Sequence, residues 1–194
     1  ARACRRKVEE EGLYYASHVY NPFFYEGTKT YIYETFEQLG RIPDNLFIPV
    51  GNGTLFLGAA KALVELRDSG AIRSMPHIVA VQSAACAPLA QAASSGSKVP
   101  ASILPRPTLA EGIAIGEPMR GGRILEIARQ LKAEFVTVPE DMIMPARKAL
   151  AAKGAYCEHT TAATYAAYLS GRDRGLWKGD CLVPLCGAGL KSDK

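Results

Sequence analysis

Gly51-Asn52-Gly53-Thr54 stands between an apolar run, Leu46 to Val50, and a helical pattern beginning at Leu55. Glycines let a backbone approach an anion without Cβ interference, a helix N-terminus offers unpaired N–H groups, and a hydroxyl adds another donor. Together these make a phosphate cup. The same residues also suit plain punctuation, because a strand-to-helix turn favours glycine and an N-capping threonine or asparagine. A second turn, Cys186-Gly187-Ala188-Gly189-Leu190-Lys191, puts a small polarisable side chain after another apolar run. The plain reading of Cys186 is a buried small hydrophobe, and that of Lys191 a solvated tail residue.

Metal and disulfide chemistry find little support. Cys4, Cys86, Cys157, Cys181 and Cys186 are odd in number, scattered and never spaced as CxxC, and only His18, His77 and His159 could join them. No metal site and no disulfide framework are expected, which suits a reducing, cytoplasmic setting. The formal charge of +4 comes from 23 basic against 19 acidic residues, and the one basic cluster, Arg2, Arg5, Arg6 and Lys7, adjoins Glu9, Glu10 and Glu11. That is a solvated helix face, so no nucleic-acid partner is expected. No apolar run reaches membrane-spanning length, and the amino end has no apolar signal-peptide core, so no membrane partner is expected either. The chain starts without methionine on ARACRRKVEEEGLYYAS, in what reads as the second half of a helix. Either processing or an artificial boundary produced that start, or the 194 residues are part of something longer.

The elements that must position the two turns alternate along the chain. After Asn21-Pro22 breaks the opening segment, Tyr31, Glu34, Thr35 and Gln38 alternate with Ile32, Phe36 and Leu39, predicting a helix over 27–39 stopped by Gly40. Strand LFIPV, helix Leu55 to Leu66, strand HIVAVQS and helix APLAQAAS follow. Prolines at 100, 105, 107 and 118 make 96–123 a long connection with one helical turn around Ala110. Then come a helix marked by Ile124, Ile127, Ala128 and Leu131, strand FVTV, a helix marked by Met142, Ile143, Ala146, Ala149 and Leu150, a brief strand AYCE, helix TTAATYAAYLSG and a last strand DCLVPLCG. The strands are apolar throughout, which predicts an α/β fold: a mostly parallel sheet with helices on both faces, in one compact domain over 1–194. Ligands in such sheets bind beyond the carboxyl ends of strands, where both glycine turns are expected to lie. A nicotinamide-binding reading is disfavoured, because GNGTLFLG lacks the GxGxxG spacing.

The order NPFFYEGTKTYIYE, PVGNGTLFLG, TLAEGIAIGEPMR, CEHTTAATYAA and CGAGLK resembles the carboxyl-terminal half of a fold-type II pyridoxal-phosphate (PLP) enzyme, of the threonine synthase and tryptophan synthase beta-like kind. The resemblance spans nearly the whole chain. It implies an incomplete large cofactor-binding domain, with 1–25 a residual segment leading from a missing small domain. It also implies PLP as cofactor, with Gly51, Asn52, Gly53 and Thr54 matching the loop that holds the 5′-phosphate. Cys186 falls where the family places a serine or threonine whose hydroxyl meets the pyridine nitrogen. A neutral partner there leaves the ring a weaker electron sink than an aspartate would, and a thiol is a poorer donor than a hydroxyl. Glu111 and Glu158 match acidic or polar positions lining the cofactor side, where a surface or capping carboxylate is an equal reading, and Thr160 follows the second motif.

Lys29 in EGTKT is a tempting Schiff-base lysine. The family, however, places that lysine far upstream in an SFK-type motif followed by an asparagine loop, and neither motif occurs in this sequence. The resemblance therefore implies no catalytic residue in this chain and half of an active site, belonging to a lyase that acts on a β- or γ-substituted amino acid, with O-phosphohomoserine one candidate. Arg120 in GEPMRGG would orient an anionic substrate or cap a loop. The chain alone is expected to be catalytically silent, with an amino-terminal partner chain and a homodimer as possible partners. The alternative is a non-catalytic module that binds a phosphate-bearing ligand or an interaction partner.

Overall fold

The computed structural model describes residues 2–192. Its sheet has four parallel strands, β1 (Asn45–Pro49), β2 (His77–Ser83), β3 (Glu134–Val138) and β4 (Cys181–Leu182), in the order β3-β2-β1-β4. Helices α1 (Arg2–Glu11), α2 (Phe24–Thr28), α3 (Thr30–Leu39) and α4 (Thr54–Asp68) bracket β1 in the chain. They are followed by α5 (Pro88–Ser94), α6 (Gly121–Gln130), α7 (Ile143–Ala151) and α8 (His159–Asp173). In α1, Lys7 and Glu11 form an exposed ion pair.

Alternation along the strands divides the core in two. Leu46, Ile48, Ile78 and Ala80 pack with α4, α5 and α6 on one face, while Phe47, Val79 and Val81 pack with α7 and α8 on the other. Both faces of the central strands are therefore dry, which is why β1 and β2 read as unbroken apolar runs. Burying the uninterrupted side chains of Phe47, Leu46 and Ile48 is worth about 2 kcal/mol each. Gln82, a side-chain amide with no solvent exposure, is satisfied at three points. Its Nε2 donates to the Val50 carbonyl at 3.1 Å, and its Oε1 accepts the Leu89 and Ala90 N–H groups at 3.1 and 3.0 Å. A strand-end side chain thus caps α5 and fixes the backbone just before the first glycine turn.

Some sequence expectations need correction. AYCE forms no strand; Cys157 makes a single antiparallel bridge to Ala188. Only Cys181 and Leu182 of DCLVPLCG pair with β1, and the prolyl nitrogen of Pro184 has no N–H to extend the ladder. The helix over 27–39 is two helices broken at Lys29, α2 and α3. Tyr31, taken from the pattern as a polar-face residue, has its hydroxyl buried. The 96–123 connection does contain one short 3-10 turn, Glu111–Ile113.

Candidate functional site

The first turn begins where β1 ends. Val50 continues the ladder by donating its N–H to Val81 O at 2.9 Å, and the buried Gly51 follows. A side chain at Gly51 would bring its Cβ within 2.9 Å of the Gly112 carbonyl oxygen, so the backbone there must stay bare. Gly53 turns the chain into α4 with φ of 78°, a left-handed conformation, and its missing Cβ would sit 2.3 Å from Ile124 Cδ1. Gly53 is the N-cap of α4 and no side chain caps it, so the capping alternative for Asn52 and Thr54 fails: Thr54 is the first helical residue.

Side-chain hydrogen bonds hold this turn and the loop packed on it. The Thr28 hydroxyl donates to the Thr54 carbonyl at 3.0 Å, tying α2 to the mouth of α4. Ser83 and Thr108 hydroxyls meet at 3.1 Å, Thr108 accepts the Ala110 N–H at 3.1 Å, and Glu140 accepts the Leu109 N–H at 2.5 Å, which together seat the 108–113 loop opposite the turn.

Among the described residues, the N–H groups of Gly51, Asn52, Gly53 and Thr54 meet no protein acceptor. These four residues line a pocket of about 400 Å³, a volume suited to a small cofactor. Gly51 to Leu55, Gly112, Glu158, Thr160 and Cys186 line it. No acidic residue stands in the first turn of α4 to compete for an anion.

The second turn closes the opposite wall. The Cys186 N–H donates to the Thr161 hydroxyl at 3.1 Å, and Glu158 N–H donates to Gly187 O at 2.9 Å, so the start of α8 carries the 186–187 backbone. Cys186 is exposed at the pocket, yet protein crowds its sulfur. That burial, with lesser pushes from Glu158 and Cys157, raises its thiol to about 11. At neutral pH it is a neutral S–H group.

Glu158 lines the pocket, whereas Glu111, on the exposed side of its 3-10 turn, does not. Arg120 caps a loop: its guanidinium donates to the Val19 and Tyr20 carbonyls at 2.7 and 2.8 Å and covers the Tyr25 ring at 4.8 Å. Lys29 is far from free. Its ammonium binds Glu26 at 2.7 Å and Glu65 at 2.8 Å, and those two carboxylates hold its pKa well above the usual lysine range. The side chain of Lys191 lies outside the described residues. His18 also lines the pocket, resting against Phe24 with ring centroids 5.2 Å apart. Nothing in its spacing announces that position; only the fold brings the segment after α1 to the cup.

Residues 1–187 match the family described as pyridoxal-phosphate dependent enzyme. The chain belongs to that family. Its members use pyridoxal phosphate as cofactor. The chain is 31% identical over 172 residues to threonine synthase of Synechocystis sp., covering 88% of this chain and 43% of that protein. It is likewise 31% identical over 180 residues to threonine synthase of Mycobacterium leprae, covering 88% of this chain and 46% of that one. It thus spans less than half the length of these relatives. Threonine deaminase isoform 2 from Solanum lycopersicum superposes with a TM-score of 0.79 at 22% identity, covering 95% of this chain and 51% of that one. Maize serine racemase does so with 0.77 at 21% identity, covering 97% and 55%. These likenesses establish the fold of PLP enzymes for the chain.

The pocket fits the cofactor the family uses. Four unpartnered N–H groups at a helix mouth suit a phosphate, and across the same cavity a protonated thiol suits a neutral ring nitrogen.

Proposed function

We propose that this chain is the cofactor-holding part of a threonine synthase-like lyase acting on a β- or γ-substituted amino acid. One observation carries the reading: Gly51, Asn52, Gly53 and Thr54 line the same pocket as Cys186. The 31% identity to threonine synthases supports that class of substrate, with O-phosphohomoserine the first to test. When bound, the cofactor supplies an electron sink for breaking bonds at an amino acid's α-carbon.

The chain's own residues then divide the work. The cup binds the phosphate through backbone donors and the field of α4. Cys186 meets the ring nitrogen with an S–H group that remains protonated near neutral pH, so it orients the ring without giving it a full positive charge. Thr161 keeps Cys186 in place by accepting its N–H. Lys29 takes no part in attachment, because a covalent bond to an aldehyde needs a neutral amine and two carboxylates hold this one as an ammonium. The attaching lysine comes from outside these residues, in an amino-terminal region or partner chain, and the chain alone binds PLP without turning over substrate. Residues 1–194 act as one cofactor-binding unit, with 1–25 leading into it.

The test is PLP titration of the purified chain, followed by borohydride reduction, peptide mapping and an assay for threonine and phosphate from O-phosphohomoserine. Saturable binding without stoichiometric labelling of Lys29 and without turnover supports the reading. Failure to bind PLP, or turnover by the chain alone, overturns it.

A further inference from the structure

A second pocket, of about 590 Å³, opens between α4 and α6 and shares no lining residue with the cup. Its volume falls in the range of pockets that hold small molecules. The two helices touch, and each turns one stripe toward the opening: Leu57, Ala60 and Val64 from α4, and Arg123, Ile127 and Leu131 from α6 and its C-cap. Spacings of three and four residues put each set on one helix face. Ala60, in the middle of the α4 stripe, has a side chain too short to reach across, so the floor stays apolar and open.

One end of this pocket is cationic. Arg120, the N-cap of α6, lies over the Tyr25 ring, and both line the opening. Its Nε and Nη2 donate to the Val19 and Tyr20 carbonyls, but a guanidinium has more N–H donors than those two bonds use. Among the described residues no carboxylate pairs with it. Arg123 stands one turn on, in an exposed pair with Glu126 that solvent screens. No acidic residue occupies the first turn of α6, so the helix field adds to the positive charge.

The other end offers no competing charge. Glu65 is the one carboxylate on the lining, and both of its oxygens are held by Lys29, at 3.0 and 2.8 Å, and by the Tyr33 hydroxyl. Lys61 pairs with Glu26. An apolar floor with an unpaired guanidinium at one end matches a ligand that is greasy along its body and anionic at its head.

We infer that this pocket is a binding site for a small amphipathic carboxylate, with its head on Arg120 and its hydrocarbon body on Leu57, Val64, Ile127 and Leu131. The inference stands whether or not the cup takes PLP.

The test is titration of the chain with octanoate, followed by the methyl NMR signals of the protein. Saturable shifts at Leu57, Val64, Ile127 and Leu131 are expected, with a Kd on the order of 1 mM. Octanamide, the same body without the charge, should bind about tenfold more weakly. Arg120→Gln should weaken octanoate about tenfold and leave octanamide unchanged. Should that variant fail to fold for want of the Val19 and Tyr20 contacts, Arg123→Gln gives the same charge-selective loss at about threefold. Val64→Trp fills the opening and should abolish binding of both probes. Absence of saturable shifts, shifts centred on the Gly51 to Thr54 turn, or equal affinity for octanoate and octanamide overturns the inference. Self-association of the chain that Val64→Trp abolishes also overturns it, because the opening then belongs to a second copy.

Discussion

The Thr161 hydroxyl accepts the Cys186 N–H at 3.1 Å, so a helix and a turn 25 residues later share one fixed geometry. Thr161 is fully buried and its partner stands at the pocket wall. Thr161→Val keeps the shape and strands the N–H, at a cost of about 1–2 kcal/mol. Chemical denaturation measures the loss, and PLP affinity falls with it because the thiol is no longer held in register.

Gly53→Ala attacks the cup from within. Alanine at φ of 78° is strained, and its Cβ would have to displace Ile124 from the core. Destabilisation of about 2 kcal/mol or more is expected, read as a lower denaturant midpoint.

Gln82→Ala tests the link between β2, α5 and the cup. It leaves the Val50 carbonyl and the Leu89 and Ala90 N–H groups without their partner. A loss of about 3 kcal/mol is expected by denaturation. A loss under about 1 kcal/mol would mean that water replaces the amide.

Tyr31→Phe is expected to stabilise the empty chain by about 1 kcal/mol, since it removes a buried, unpartnered hydroxyl. Thermal unfolding without ligand reads it directly; a lower Tm would mean that the hydroxyl has a partner in solution.

The Lys29 cluster gives a pH dependence with a definite sign. Lys29 first, then Tyr33, holds Glu65 below its ordinary value of 4.5. A depressed carboxyl pKa contributes stability that is complete above about 4.5 and fades as pH falls through the lower, folded value. Lys29 itself is raised, by Glu26 and then Glu65, so its share holds below 10.5 and fades at still higher pH. Partial exposure keeps both effects small. Lys29→Met should flatten the acid limb of the stability profile, and an unaltered limb would assign that limb to other carboxylates.

The strand pattern was legible because the central strands are buried on both sides, so LFIPV and HIVAVQS carried their meaning in composition alone. The glycine turn was legible for a similar reason: a Cβ at Gly51 would meet the Gly112 backbone at 2.9 Å, and Gly53 has a left-handed φ. The edge was not. AYCE and DCLVPLCG are apolar enough for strands, but pairing depends on neighbours that a local window does not contain. Tyr31 misled for the opposite reason, since helical spacing predicts a face but not what another helix lays over it. Glu111 and Glu158 looked equivalent in sequence, and only the seating of the 108–113 loop separates them.

The parallel order also governs when the site can exist. The Asp180 N–H donates to the Asp44 carboxylate across 136 residues, beside the pairing of β1 with β4. During synthesis from the amino end, the turn after β1 is made before Gly112 and Ile124, on which it packs, and long before Cys186, which lines the same pocket. Closing so long a loop is entropically slow. The glycine turn is therefore made well before the residues of the second turn that share its pocket, and the two can meet only after the segment between them has folded.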